Sequence, residues 1–198
     1  MQKLIILDRD GVINEDSDQF IKSPEEFKAI PGSLEAIARL SQNGYRVVVA
    51  TNQSGLGRGL FDMDSLNRIH NKMHQALANL GGQITAIFFC PHTPEDQCAC
   101  RKPKDGMFKE IASTFDVDLH EVPAVGDSLR DLEASSAAGC APFLVLTGKG
   151  KITFDNAQLP KNTQVFPDLA SVAKHLLAPP VEKPLKKSAR KSKKNADD

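Results

Sequence analysis

The alternation of short apolar runs with amphipathic segments is the feature that most constrains the fold of this chain. Five runs rich in Val, Ile, Leu or Phe are typical of buried strands, at residues 3–7, 46–50, 84–89, 122–126 and 142–146. Segments with helical periodicity lie between and after them, at residues 33–42, 62–79, 105–115, 129–138 and 168–177. This order is typical of a parallel sheet with helices on both faces. We predict one three-layer α/β/α domain over residues 1–178.

Composition places the chain among ordinary globular proteins. Its 198 residues are 40% hydrophobic and 25% charged, which is enough for one sizeable core. Met1-Gln2-Lys3 runs directly into the first strand, leaving no room for a signal peptide, and no apolar run reaches membrane-spanning length. We therefore expect a cytoplasmic protein, in which the four cysteines serve as metal ligands or spectators rather than disulfides.

The neutral net charge hides an asymmetry between the body and the last twenty residues. Residues 179–198 contain seven Lys or Arg and three Asp or Glu, and almost nothing that could enter a core. We predict that residues 179–198 are a disordered basic tail on a mildly acidic domain. Such a tail can attract a polyanion, or it can be a solvated terminus without a specific role.

Polar residues follow four of the predicted strands, close to the point where each strand ends. They are Asp8 and Asp10, Thr51 to Ser54, Arg101 and Lys102, and Gly126 to Ser128. Because ligands collect at the carboxyl ends of strands in open α/β sheets, we expect these residues to converge at one edge. Each group alone also fits an ordinary role, as a turn, a helix cap or a solvated side chain. Four such groups in order favour a shared site.

The converging residue types match the needs of phosphoryl transfer. Asp8 can attack phosphorus to give an aspartyl-phosphate, while Asp10 can move the proton of the leaving group. A hydroxyl such as that of Thr51 can hold phosphoryl oxygens, and Lys102 can balance their charge. Because Mg²⁺ binds carboxylates together with phosphate and water, Asp127 can complete a magnesium site.

A second group of reactive side chains lies within eleven residues of one predicted loop. Cys90, His92, Cys98 and Cys100 form a Cys₃His set, which tetrahedral Zn²⁺ takes in closed structural sites. Four protein ligands leave no open position, so we interpret this zinc as structural; the alternative is a cluster of free thiols. The metal would stiffen the loop and so position the Arg and Lys that follow it.

The remaining cysteine and a pair of histidines are interpreted as packing residues. Cys140 fits a small core residue that enters the last strand. His70 and His74 lie four residues apart on a predicted helix, a spacing that could bind a metal. Since no third ligand is suggested nearby, we assign both to the surface or to packing.

Four short motifs carry a resemblance to a known family. Asp8-x-Asp10-Gly11, Thr51-Asn52-Gln53, Lys102 and Gly126-Asp127 are similar to the four signature motifs of the haloacid dehalogenase-like (HAD) phosphohydrolase superfamily. The resemblance covers about residues 3–150 and implies a Rossmann-like fold with a two-step phosphatase reaction.

The same resemblance implies a role for each motif residue. Asp8 would be the nucleophile, and Asp10 would first protonate the leaving oxygen and then deprotonate a water molecule. The side chains of Asp8 and Asp127 and the backbone carbonyl of Asp10 would hold Mg²⁺. Thr51 and Lys102 would steady the transferring phosphoryl group.

Within the superfamily, the cysteine-rich loop resembles two branches. One comprises the D-glycero-D-manno-heptose 1,7-bisphosphate 7-phosphatases of lipopolysaccharide core biosynthesis, and the other the histidinol phosphatases of histidine biosynthesis. Ser54 and Gly106-Met107 are more similar to the heptose branch, whereas the short interval from His92 to Cys98 is more similar to the histidinol branch. We expect a phosphoric monoester hydrolase acting on the heptose C7 phosphate, with histidinol phosphate as the alternative substrate.

Neither branch has a large cap domain, and the spans 8–30 and 51–62 are too short for one. We therefore expect loops alone to cover the site of a monomer that acts on a small sugar phosphate, without nucleic acid or membrane. The residues predicted to contact substrate are Arg9, Asp16, Ser17, Asp18, Gln19, Asn52, Gln53, Ser54, Arg58, Arg101 and Ser128. A different class of hypothesis is a noncatalytic, zinc-stabilised module whose basic tail engages a polyanion.

Overall fold

The computed structural model describes residues 3–179, so the predicted basic tail from residue 180 onward lies outside the described residues. The strands are β1 (Lys3–Leu7), β2 (Tyr45–Asn52), β3 (Ala86–Cys90), β4 (Pro123–Gly126), β5 (Ala141–Val145) and β6 (Gln164–Phe166). They form one parallel sheet in the order β3-β2-β1-β4-β5-β6. The predicted parallel sheet is therefore confirmed, with strand ends within two residues of those expected.

Seven helices connect or follow these strands within the described residues. They are α1 (Ser33–Gln42), α2 (Ser54–Gly57), α3 (Met63–Asn79), α4 (Gly106–Phe115), α5 (Leu129–Ala137), α6 (Gly150–Asn156) and α7 (Leu169–Leu177). The five predicted helices are all present, with ends within one residue of those expected. Side-chain capping explains part of this agreement, because Asp62 and Asp168 accept hydrogen bonds from backbone N–H groups at the starts of α3 and α7.

The central strand β1 shows how the three layers form. Its side chains alternate, so Ile5 and Leu7 pack among residues of α1, α3 and α7, whereas Leu4 and Ile6 pack against α4 and α5. All four are at most 5% exposed. Burying a side chain of this size contributes about 1.5–3 kcal/mol, so an almost continuously apolar β1 stabilises both faces of the sheet.

Strand order determines where a site can form. β1 pairs with β2 on one side and with β4 on the other, so the chain changes direction across the sheet between β1 and β4. A crevice forms at such a switch point, beyond the carboxyl ends of the strands. Residues 8–32 contain neither a helix nor a strand of several residues, and β2 reaches α3 through the four-residue α2. The expectation of no large cap domain is therefore confirmed for the described residues.

The described helices also bear on membrane insertion. Among residues 3–179, none of the helices is long and apolar enough to cross a bilayer.

Candidate active site

A cavity of about 360 Å³ opens at the carboxyl ends of β1 and β2. Eleven of the predicted site residues line it: Asp8, Asp10, Asp16, Ser17, Asp18, Thr51, Asn52, Gln53, Ser54, Arg58 and Arg101. Lys102 and Asp127 are buried next to Asp8 rather than in the lining. Arg9, Gln19 and Ser128, which we expected to contact substrate, do not line this cavity.

Three buried carboxylates lie together at the base of the site. Asp8 directly follows β1, Asp127 directly follows β4, and Asp131 lies in the first turn of α5; each offers one oxygen within 4.8 Å of the others. The cap of α5 is Ser128 and not Asp127, and Asp131 completes the capping box. Asp127 is therefore available for the site, as the motif predicts.

Lys102 is the buried counter-charge of this group. Its Nζ lies 3.1 Å from Asp8 Oδ1 and 2.7 Å from Asp131 Oδ1, and it donates to the carbonyl of Ala50 at 2.8 Å. Burial alone would lower the pKa of Lys102, but the charges of Asp131 and Asp8 raise it above its usual value. Lys102 is therefore a cation held beside the expected nucleophile.

The three carboxylates together fit a divalent cation. Burial and the charges of neighbouring carboxylates raise the pKa of Asp127 to about 8, and burial is the largest of several influences that raise the pKa of Asp8 to about 6. When ionised, the three carboxylates carry more negative charge than Lys102 alone balances. Hard oxygen donors of this kind suit Mg²⁺. The donor set therefore fits the predicted magnesium site.

Two glycines shape the space around the Asp127 carboxylate. Gly11 and Gly148 have positive φ angles, of 83° and 55°, and a Cβ on either residue would overlap the Asp127 side chain. The backbone N–H of Lys149 donates to Asp127 Oδ2 at 2.8 Å. Asp127 is thus held by close backbone approach that side chains larger than hydrogen would prevent.

Asp10 is held by three side chains at the edge of the cavity. Arg9 donates to it from Nε at 3.1 Å and from Nη2 at 2.8 and 3.0 Å, Asn14 donates at 2.9 Å, and Gln53 donates at 2.9 Å. Burial alone would raise the pKa of Asp10, but the charge of Arg9 and these hydrogen bonds hold it below its usual value. These contacts therefore fix the orientation of the Asp10 carboxylate.

The segment after β2 connects the two sides of the cavity. Thr51 is buried at the base, and its hydroxyl accepts a hydrogen bond from Gln53 Nε2 at 3.0 Å. Asn52 binds the backbone of Lys102 twice, donating to its carbonyl and accepting from its N–H, both at 3.1 Å. The second predicted motif thus positions Lys102 through its backbone.

The four predicted zinc ligands converge at the end of β3. The sulfurs of Cys90, Cys98 and Cys100 are 3.3 to 3.5 Å apart, and His92 Nδ1 is 3.4 Å from the Cys100 sulfur and 3.7 Å from that of Cys90. Ligands at about 2.3 Å from a tetrahedral zinc would be separated by roughly 3.8 Å. The group therefore fits a closed tetrahedral metal site, as predicted.

The cysteine-rich loop is bound to the rest of the site. Arg101 follows the last thiol, donates from Nη1 to the His92 carbonyl at 3.1 Å and lines the cavity. Lys104 Nζ donates to the carbonyls of Gln97 and Cys98 at 2.6 and 2.9 Å. Arg101 therefore lines the cavity, and the next residue, Lys102, is buried beside Asp8.

Three site residues were missed by the sequence analysis. Asp131 could have been found from the spacing Ser128-x-x-Asp131, which is typical of a capping box. Arg130 and Lys149 line the cavity, and Lys149 Nζ binds Asp16 at 3.2 Å and Asp18 at 3.0 Å. Lys149 directly precedes α6, a seven-residue helix too short to show strong periodicity in the sequence.

Comparisons with known proteins agree with the observed fold. A family model described as HAD-hydrolase-like matches residues 99–172, and the crystal structure of the D,D-heptose 1,7-bisphosphate phosphatase from Bordetella bronchiseptica, complexed with magnesium and phosphate, is similar with a TM-score of 0.88. The two chains are 64% identical, over 88% of this chain and 98% of that one. Fold and site thus define a hydrolase of the HAD class.

Curated relatives identify the family of this chain within the HAD class of hydrolases. The D-glycero-β-D-manno-heptose-1,7-bisphosphate 7-phosphatase of B. bronchiseptica is 64% identical over 175 residues, which cover 88% of this chain and 98% of the relative. The enzyme of the same name from Pseudomonas aeruginosa is 52% identical, covering 89% of this chain and 98% of the relative. The chain belongs to the family of D-glycero-β-D-manno-heptose-1,7-bisphosphate 7-phosphatases.

Proposed function

We propose that this chain hydrolyses the C7 phosphate of D-glycero-β-D-manno-heptose 1,7-bisphosphate through an aspartyl-phosphate on Asp8. The observation that carries the proposal is the buried contact between Asp8 and Lys102 beside two further carboxylates, in a chain 64% identical to a phosphatase of that name. We infer the β anomer of the substrate and the role in lipopolysaccharide core synthesis from membership of this family.

In the first step, Asp8 attacks the phosphorus of the C7 phosphate. One of its oxygens, Oδ1, accepts hydrogen bonds from the Arg9 N–H at 2.7 Å and from Lys102, so we infer that the other oxygen attacks. A bond forms between this oxygen and phosphorus while the bond from phosphorus to the C7 oxygen breaks. Lys102 and the Thr51 hydroxyl stabilise the charge on the transferring group.

Asp10 moves the proton in both steps. The dianionic substrate raises the pKa of Asp10, so that Asp10 can carry the proton that it gives to the C7 oxygen. In the second step Asp10 takes a proton from water, whose oxygen attacks phosphorus. The bond to Asp8 then breaks and inorganic phosphate leaves.

Two metals complete the proposal. The side chains of Asp8 and Asp127 and the backbone carbonyl of Asp10 would hold Mg²⁺, which when bound neutralises charge on the phosphate and on the nucleophile. A structural Zn²⁺ would be held in one closed site by Cys90, His92, Cys98 and Cys100.

The cavity mouth fits the rest of a sugar bisphosphate. Asp16, Ser17 and Asp18 supply oxygen atoms suited to sugar hydroxyls, while Arg58 and Arg101 supply guanidinium groups suited to the distal phosphate. We propose these contacts for the substrate, and we propose that the acting form is a monomer whose catalytic domain spans residues 1–178.

The test is phosphate release from the heptose bisphosphate and from histidinol phosphate, with Asp8→Asn as the control. We expect turnover of the heptose bisphosphate with a much larger kcat/KM than for histidinol phosphate, and a loss of at least about 10³-fold in Asp8→Asn. A preference for histidinol phosphate would support the alternative substrate. Inactivity toward both esters in folded, magnesium-supplied protein would support the noncatalytic binding module instead.

A further inference from the structure

A histidine outside the cavity contacts the residue that holds Asp10. His70 lies on α3, is 8% exposed, and places Nε2 3.4 Å from Arg9 Nη1. It does not line the cavity and takes no part in the proposed reaction. Our assignment of His70 to surface or packing therefore leaves this polar contact unexplained.

The Arg9 guanidinium is completely buried, so each of its N–H groups needs a partner. Nε and Nη2 donate to Asp10, and Nη2 also donates to Gln53 Oε1 at 3.3 Å. Within residues 3–179, His70 is the partner found for Nη1. The histidine thus completes the set of contacts that fixes the plane of the guanidinium.

His70 is suited to accept this hydrogen bond. Burial and the charge of Arg9 lower its pKa to about 4, so the imidazole is neutral near pH 7. A neutral ring with its proton on Nδ1 accepts at Nε2, where Arg9 Nη1 lies.

His70 differs in polarity from the other buried residues of α3. Leu66, Ile69, Met73 and Leu77 face the core with apolar side chains, and His70 is the polar member of the buried face. An apolar residue would fill space at position 70 but could not accept from Arg9. The contact is therefore polar in kind and not only steric.

We propose that His70 is a positioning residue for the phosphatase reaction: by accepting from Arg9 it fixes the guanidinium that orients the Asp10 carboxylate for proton transfer. The inference rests on the proposed function, in which Asp10 moves the proton. It assigns to α3, which lines no part of the cavity, a role in the alignment of the acid–base group.

A pair of substitutions that differ in reach tests the proposal. The terminal amide of His70→Gln lies near the position of Nε2 and can accept from Arg9, whereas the shorter His70→Asn ends near the position of Nδ1. With the heptose bisphosphate as substrate, we expect His70→Asn to lower kcat about tenfold, a part of what general acid–base catalysis contributes. We expect KM to change less than about twofold, and His70→Gln to remain within about threefold of the wild-type kcat.

Two controls separate positioning from folding. His74→Leu changes the histidine one helical turn away, and we expect it to leave kcat unchanged. In an Arg9→Lys background, which removes the Nη1 donor, adding His70→Asn should lower kcat by less than about twofold, because the two changes break the same contact. Melting temperatures of all variants identify any that fail to fold.

Three results would overturn the proposal: wild-type kcat in His70→Asn, equal losses in His70→Gln and His70→Asn, or an undiminished effect of His70→Asn in Arg9→Lys. An inactive wild-type protein would instead refute the proposed function, so the two failures are distinguishable.

Discussion

Four buried ionisable residues share the base of the site. Asp8, Asp127 and Asp131 contribute three negative charges when ionised, and Lys102 contributes one positive charge. Burial is the largest cause of the raised pKa values of Asp8 and Asp127, and the charges of the neighbouring carboxylates raise them further. A bound cation would offset this repulsion. The stability of the folded protein is therefore expected to depend on whether the metal is bound.

The raised pKa of Asp127 predicts how stability depends on pH without magnesium. A carboxyl group whose pKa rises from 3.8 to about 8 on folding stabilises the protein below pH 4, and this contribution disappears as the pH rises toward 8. In magnesium-free buffer we expect the melting temperature to fall between pH 5 and pH 8, and to fall less in Asp127→Asn. Thermal unfolding of both proteins at several pH values measures this difference, and parallel curves would contradict the prediction.

Asp131 is predicted to limit how strongly Lys102 pairs with Asp8. Asp131→Asn keeps the shape of the side chain but removes the charge 2.7 Å from Lys102, so Lys102 pairs more strongly with Asp8 and weakens it as a nucleophile. We expect kcat to fall roughly tenfold or more.

The control for Asp131→Asn is Asp168→Ala, which removes an N-cap from α7, away from the site. It should cost about 1 kcal/mol of stability with little effect on kcat. Equal kcat values for the two variants would argue against a catalytic consequence of the Asp131 charge.

At the scale of elements, the cysteine-rich loop connects an edge strand to the active site. Cys90 is the last residue of β3 and pairs with Asn52 of β2, whose side chain binds the Lys102 backbone. The loop therefore leaves β3 and is bound at its other end by the neighbouring strand β2. A metal held at its base would stabilise both this connection and the position of Arg101.

Loss of one thiol is predicted to release the zinc and impair the site. We expect about one zinc per wild-type chain and much less in Cys100→Ser, with a lower melting temperature and a reduced kcat/KM. Cys140→Ala changes a thiol outside the cluster and should keep the metal. Elemental analysis and thermal unfolding test this; folded, active wild-type protein without zinc would refute it.

The elements also show what could be predicted from the sequence. The predicted helices 62–79 and 168–177 begin at Asp62 and Asp168, whose side chains accept hydrogen bonds from backbone N–H groups in the first turns of α3 and α7. α2 and β6 were missed because they have four and three residues, too few to show a period. The burial of Arg9 was not predicted, because it depends on an ion pair with its neighbour Asp10, which periodicity does not reveal.

At the scale of the whole molecule, the central position of β1 brings distant segments together. β1 has β2 on one side and β4 on the other, so Asp8, which follows β1, lies close to the residues that follow the other two strands. The two hydrophobic clusters that support this sheet lie within residues 4–177. The structural requirements of the site are thus met by the body of the chain.

Removal of residues 179–198 is therefore predicted to leave the enzyme intact. We expect the shortened chain to keep the wild-type melting temperature within about 2 °C and kcat/KM within about twofold, because the two hydrophobic clusters described above lie within residues 4–177. Thermal unfolding and phosphate release measure both. A loss of activity at unchanged stability would show that the basic segment takes part in substrate binding.

The contacts of Lys149 with Asp16 and Asp18 join the segment after β1 to the segment after β5 across the cavity mouth. Lys149 and Asp18 are exposed, so dissolved ions screen their attraction, whereas the ion pair of Lys102 is shielded by burial. Higher ionic strength should therefore weaken the contacts of Lys149 at the cavity mouth more than the buried ion pair of Lys102 with Asp8. Salt should change how readily substrate enters and leaves well before it changes the rate of the bound complex.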